Sequence, residues 1–131
     1  MNPTPLLPRI FLAIAALLGG LAVSTGAFAS HALNAQLSAR SLEIFETAAR
    51  YQMYHALALG LVAVLLSRSE TAQLALGFAG WAFMAGMALF CGSLYGFSLT
   101  GIKVLGAITP LGGIAFILGW VGLLVAAWRF S

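Results

Sequence analysis

This sequence predicts an all-α fold, a polytopic transmembrane four-helix bundle whose second helix is amphipathic and extended at its N-terminal end. Three observations carry that expectation. Four stretches are apolar over about the 20 residues that a helix needs to cross a hydrocarbon core of about 30 Å. Of 131 residues, 62% are hydrophobic and only 7% charged, with a mean hydropathy of +1.03; a soluble domain carries roughly a quarter of its residues as charges. The second apolar stretch is preceded by a polar, helix-periodic segment with no breaker between them.

The first span covers about residues 10–28 and carries no charge. Pro3, Pro5 and Pro8 precede it and keep the chain extended, so the helix is expected to begin just after them. Within it Ala15/Gly19, Ala16/Gly20 and Ala22/Gly26 stand four apart, the spacing that lets helices approach closely in lipid. Ala27-Phe28-Ala29 before Ser30 has the form of a signal-peptide cleavage site. The apolar run exceeds the ~7–15 residues of a signal core, however, so a retained anchor is expected.

His31 and a polar stretch, Asn34–Ser41, follow, and Ser38 or Ser41 suits the cap of the next helix. From Leu42, the residues Glu43, Glu46, Thr47, Arg50 and Tyr54 share one stripe, with Leu42, Phe45, Ala49 and Met53 beside it. One continuous helix from Leu42 to Leu66 is expected, wet for its first turns and spanning the membrane over about 48–66. The third and fourth spans cover about 74–97 and 105–128. The third contains Gly92-Ser-Leu-Tyr-Gly96, and the fourth contains Thr109-Pro110-Leu-Gly112-Gly113. Pro110 cannot donate to Gly106, and two glycines follow, so the fourth helix is expected to bend or open there. The brief connections make a single transmembrane domain the expectation for residues 1–131.

Antiparallel threading collects nearly all the polar chemistry in one leaflet, beside the loops at 29–50 and 98–104. The candidate ligand- or partner-binding residues are His31, Glu46, Arg50, Tyr51, Gln52, Tyr54, His55, Thr109 and Pro110. Glu46 and Arg50 have the (i, i+4) spacing of a helical ion pair, and an ion pair near the interface is expected. Tyr51 and Tyr54 also stand where aromatic belts stand. His55 lies deeper, where an imidazole needs a polar partner from a neighbouring helix.

Other chemistries fit poorly. There is no Asp, the single Cys91 lies inside a span, and no phosphate loop or CxxC motif is present, so no complete catalytic constellation is visible. No cofactor is expected; heme or a metal held through His31 and His55 would need both imidazoles at matching depth. Six scattered basic residues and a net charge of +3 offer no phosphate-backbone surface, so nucleic acid is not an expected partner. Membrane lipids are, and a homodimer or partner membrane protein could use the small-residue faces. Arg9, Arg68, Arg129 and the terminal amine share one side, against Arg40, Arg50 and Lys103 on the other. Partial neutralisation of Arg50 by Glu46 then places the termini in the cytoplasm, with insertion in both orientations as the alternative.

The run Glu43-Ile-Phe-Glu46-Thr-Ala-Ala-Arg50-Tyr-Gln-Met-Tyr-His55, with His31-Ala-Leu, Gly92-Ser-Leu-Tyr95 and Gly106-Ala-Ile-Thr-Pro110-Leu-Gly-Gly113, resembles the family of small bacterial inner-membrane proteins of unknown function that includes YgdD and YwdK. The resemblance runs from about Ile10 to Trp128 and implies four transmembrane helices and a bacterial inner membrane. It implies no activity or catalytic residue. The expected function is therefore a non-enzymatic one, binding a lipid, a quinone-like molecule or a partner helix in the polar cleft. The alternative is a small dimeric transporter or ion channel.

Overall fold

A computed structural model describes residues 5–130. These residues form four membrane-length helical spans. The first is α1 (Leu6–Phe28), prolonged by a π turn at Ala29–Leu33; the second is α2 (Ala39–Arg68). The third span is α3 (Gln73–Gly86), a π turn at Met87–Cys91 and α4 (Gly92–Thr100), and the fourth is α5 (Lys103–Arg129).

Local chemistry explains most of the boundaries. Pro8 is taken into the first turn of α1, so the helix begins before the last of the three prolines rather than after it. Amides of a first helical turn have no intrahelical acceptor, and proline loses nothing there. Pro3 lies outside the described residues. Ser38 caps α2, its Oγ accepting from the Ser41 amide at 3.1 Å. From there α2 runs 30 residues without interruption, about 45 Å at 1.5 Å per residue, so its amino-terminal turns project beyond the hydrocarbon. Gly101 closes the third span with φ at 71°, and its amide donates to Phe97 O at 2.8 Å. That left-handed cap turns the chain into α5 within two residues.

The expected opening at Pro110 does not occur: α5 is helical through it, and Pro110 is exposed. The residue lost as a donor sits two turns into the helix on its exposed side, and one missing bond there does not break the rest. Gly112 instead serves as a contact. A Cβ there would strike the backbone N and Cα of Phe90, so only glycine lets α5 lie this close to the third span. The irregular backbone is opposite, in the π turn that contains Phe90.

α1 lies mainly on α2, and α5 mainly on the third span, while α2 and the third span face each other along their length. Those two form a central pair with a flanking helix on either side. The α1–α2 seam uses part of the small-residue pattern: Gly19 faces Ala56, and Gly60 faces Ala15. Ala16 and Gly20 point outward.

Candidate functional site

The two flanks differ in how they are filled. On the α5 flank, His55 of α2 is 5% exposed and stacks on Phe116, with ring centroids 3.5 Å apart and 8° between planes. Phe83, Phe90, Tyr51 and Trp120 pack around them. Glycines make the room: a Cβ at Gly86 would collide with the Phe116 ring, and one at Gly119 with the Phe83 ring. Trp120 Nε1 donates to His55 Nε2 at 3.2 Å, and His55 Nδ1 lies 2.8 Å from Tyr51 O. An indole N–H can only donate and a carbonyl can only accept. His55 is therefore the neutral tautomer with its proton on Nδ1, and both ring nitrogens are engaged. A metal or heme at His55 would have to displace the indole or the carbonyl.

On the α1 flank a chain of hydrogen bonds crosses three helices. Gln52 of α2 is 6% exposed, and its Nε2 donates to Leu18 O of α1 at 2.8 Å. Tyr95 of α4 donates to Gln52 Oε1 at 2.7 Å. Thr25 Oγ1 of α1 lies 3.1 Å from Tyr95 Oη. Because the Tyr95 proton goes to an acceptor-only oxygen, Thr25 is the donor in that last contact. The order Tyr95→Gln52→Leu18 O is fixed by chemistry, while the single Thr25 proton is divided between Tyr95 Oη and Ala22 O, each at 3.1 Å. Phe45 steadies the tyrosine ring edge-on at 4.9 Å, within a small cluster that includes Ala29 and Leu33 of the π turn ending the first span.

Beside this chain, between α1 and the third span, is a cavity of about 400 Å³. Its walls are Ile14, Leu18 and Leu21 on one side and Met84, Met87 and Ala88 on the other, with Thr25, Gln52 and Tyr95 also lining it. Nearer the chain termini Phe11 packs edge-on against Trp81 at 5.4 Å and sits on Gly80. At the other end the Thr25–Tyr95 contact forms part of the lining. None of the described residues that line it carries a charge.

The sequence-predicted residues thus do not converge on one cleft. Gln52 belongs to the α1 flank, whereas His55 and Tyr51 belong to the α5 flank. Thr109 bonds Ser93 of the third span, Oγ to Oγ, at 2.6 Å. His31, Arg50, Tyr54 and Pro110 are exposed. The expected Glu46–Arg50 ion pair does not form among the described residues. Arg50 Nη2 donates to Thr47 Oγ1 at 3.2 Å, and both charged residues line a separate open groove between α1 and α2. At that height the groups are near water, where an (i, i+4) pair is worth only a few tenths of a kcal/mol.

Thr25, Phe116 and Trp120 were not singled out from sequence. Gln52 offered the signal, since a mid-span carboxamide needs both a donor and an acceptor from other helices. Trp120 offered another, since an indole N–H surrounded by hydrocarbon needs an acceptor.

Comparison with known proteins gives the lineage. A family described as protein of unknown function (DUF423) matches residues 25–113. A membrane protein of the UPF0382 group from Staphylococcus aureus is 45% identical over 123 residues, covering 94% of this chain and 98% of that protein. YwdK of Bacillus subtilis, likewise a UPF0382 membrane protein, is 43% identical over 122 residues, covering 93% and 98%. No solved structure matches. With four membrane-length apolar helices and these relatives, the chain is an integral membrane protein belonging to the DUF423 (UPF0382) family.

Proposed function

We propose that the protein is a non-catalytic membrane protein that holds an amphiphilic molecule, a lipid or quinone-like compound, in the cleft between α1 and the third span. The observation that carries this reading is the cavity itself. Around His55 the opposite flank is packed tightly enough that aromatic rings rest on glycines, whereas here about 400 Å³ lies between two helices. A second space of about 430 Å³ lies between α3 and α5 nearer the termini, and the buried Gln52 and the Tyr95 hydroxyl distinguish the α1 cleft from it. Cavities that bind small molecules are mostly apolar, with a few convergent polar groups, and Thr25, Gln52 and Tyr95 supply those groups. A π turn, Met87–Cys91, forms part of the wall; such single turns recur at functional sites.

The test is native mass spectrometry of protein extracted in mild detergent. Wild type is expected to carry a bound amphiphile that Ala88→Trp, which fills the cavity, releases. An empty wild type, or equal retention by the variant, would refute the reading. Solute flux in proteoliposomes would instead favour a transporter.

We also infer that the termini face the cytoplasm of a bacterial inner membrane. Impermeant-thiol labelling in intact cells should then modify a cysteine placed at Asn34 and spare one at Ser69. The reverse pattern overturns the orientation.

A further inference from the structure

We propose that the cleft selects an uncharged head bearing a carbonyl acceptor, as in a quinone or a neutral diacylglycerol, over the phosphate head of a phospholipid. This rests on the reading that the cleft is a binding site.

The argument begins with Gln52. Its carboxamide cannot be turned over, because Leu18 O accepts and so requires the nitrogen on that side. The oxygen is then committed to Tyr95. Every buried polar atom here has a partner, but Nε2 carries two hydrogens, and the structure gives an acceptor to one. The second N–H belongs to a residue that lines the cleft. The Tyr95 proton is already given to Gln52, and the Thr25 hydroxyl is shared between Tyr95 Oη and Ala22 O, each at 3.1 Å. Of the strong donors lining the cleft this N–H is the one left to give, and a carbonyl oxygen is its natural complement; the remaining lone pairs of Gln52 Oε1 and Thr25 Oγ1 can accept from a hydroxyl on the same head.

Charge points the same way. No described residue lining the cleft is charged, so a phosphate there would be an anion without a counter-charge, which low-dielectric surroundings penalise heavily. Depth agrees. Gln52 lies sixteen residues from Arg68, about 24 Å along α2, which leaves it about 6 Å inside the far face of a ~30 Å hydrocarbon layer, below the charged headgroups. Met84 and Met87 provide flexible, polarizable walls suited to the face or edge of a flat ring.

The experiment uses delipidated wild-type protein in detergent and three probes: decylubiquinone, dioleoylglycerol and palmitoyl-oleoyl phosphatidylglycerol. Competition is read by native mass spectrometry. One of the two uncharged probes should outcompete the phospholipid by about tenfold or more, and whichever does so identifies ring or ester carbonyl as the source. Gln52→Met keeps the bulk and removes the donor, so affinity for that probe should fall about tenfold. His55→Phe removes a buried polar contact outside the cleft, and should hold the probe as wild type does. Preference for phosphatidylglycerol, or unchanged binding in Gln52→Met, would overturn the inference. The wild-type competition stands even if Gln52→Met fails to fold. If none of the probes binds, yet Ala88→Trp still releases a co-purified amphiphile, the head-group selectivity is wrong and the cleft reading survives. If wild type holds no amphiphile at all, both fail.

Discussion

The two flanks of the central α2–third span pair face similar packing problems and solve them differently. On the α5 side, Phe83, Phe90, Phe116 and Trp120 fill the space around His55, and glycines let the rings sit against backbone. On the α1 side, the facing residues are aliphatic, small or flexible, and the space stays open, with a polar chain at one end. Burial inside lipid brings no hydrophobic gain, so helices associate through van der Waals contact and interhelical hydrogen bonds. The aromatic flank uses the first and the α1 flank relies more on the second. At the level of His55 and Gln52 the bundle is therefore filled on one side and open on the other, while nearer the termini the α3–α5 seam opens too, beside Phe78, Val121 and Gly122.

Changes on the aromatic flank should break that contrast most severely. Phe116→Ala removes the ring stacked on His55 and should cost about 3–5 kcal/mol, as large-to-small core changes do, measured by reversible unfolding in mixed micelles. Gly112→Ala should follow at about 1–3 kcal/mol, the usual cost of overpacking, because its new methyl meets Phe90 backbone that cannot rotate away. Gly92→Ala is the control in the same assay. It lies on the open flank with nothing near its added Cβ, so it should be neutral.

His55→Phe sharpens the comparison. It keeps the stack but strips Trp120 of its acceptor, so a loss of about 1–3 kcal/mol is expected for the orphaned donor. The change should also shift tryptophan fluorescence. Since His55 does not line the cleft, retention of a bound amphiphile should be unchanged; loss of it would tie the two flanks together.

A Gln52→Leu/Tyr95→Phe double-mutant cycle should show coupling of about 0.6 kcal/mol, the average for interhelical hydrogen bonds in a membrane protein. A value near zero would mean the polar chain does not hold the α1 flank. The smallest effect is expected for Glu46→Gln and Arg50→Gln, whose stability changes should add. Coupling there would show that the two residues pair despite the Arg50–Thr47 bond.

Most of the architecture was legible in the sequence because lipid leaves so few alternatives. Backbone groups in hydrocarbon must bond within their own segment, so each long apolar run had to be a helix. The extended α2 followed from a polar stripe merging into an apolar one with no breaker, and Ser38 from its capping chemistry. Pro110 does not open α5, because a helix packed along one face tolerates a missing bond on the other. Glu46 and Arg50 misled because spacing makes a pair geometrically available without making it favourable near water.

The sequence by itself determined that this chain is a four-helix membrane protein with its polar chemistry in one leaflet, since hydropathy and threading act residue by residue along the chain. Only the tertiary structure decided that Gln52 and His55, three positions apart on α2, serve opposite flanks. Three residues turn about 300° round a helix, a separation of only about 60°, so which neighbour meets each side chain depends on how α1 and α5 dock. That docking is set by rings meeting glycines on other helices, contacts between residues far apart in the chain that no local pattern encodes.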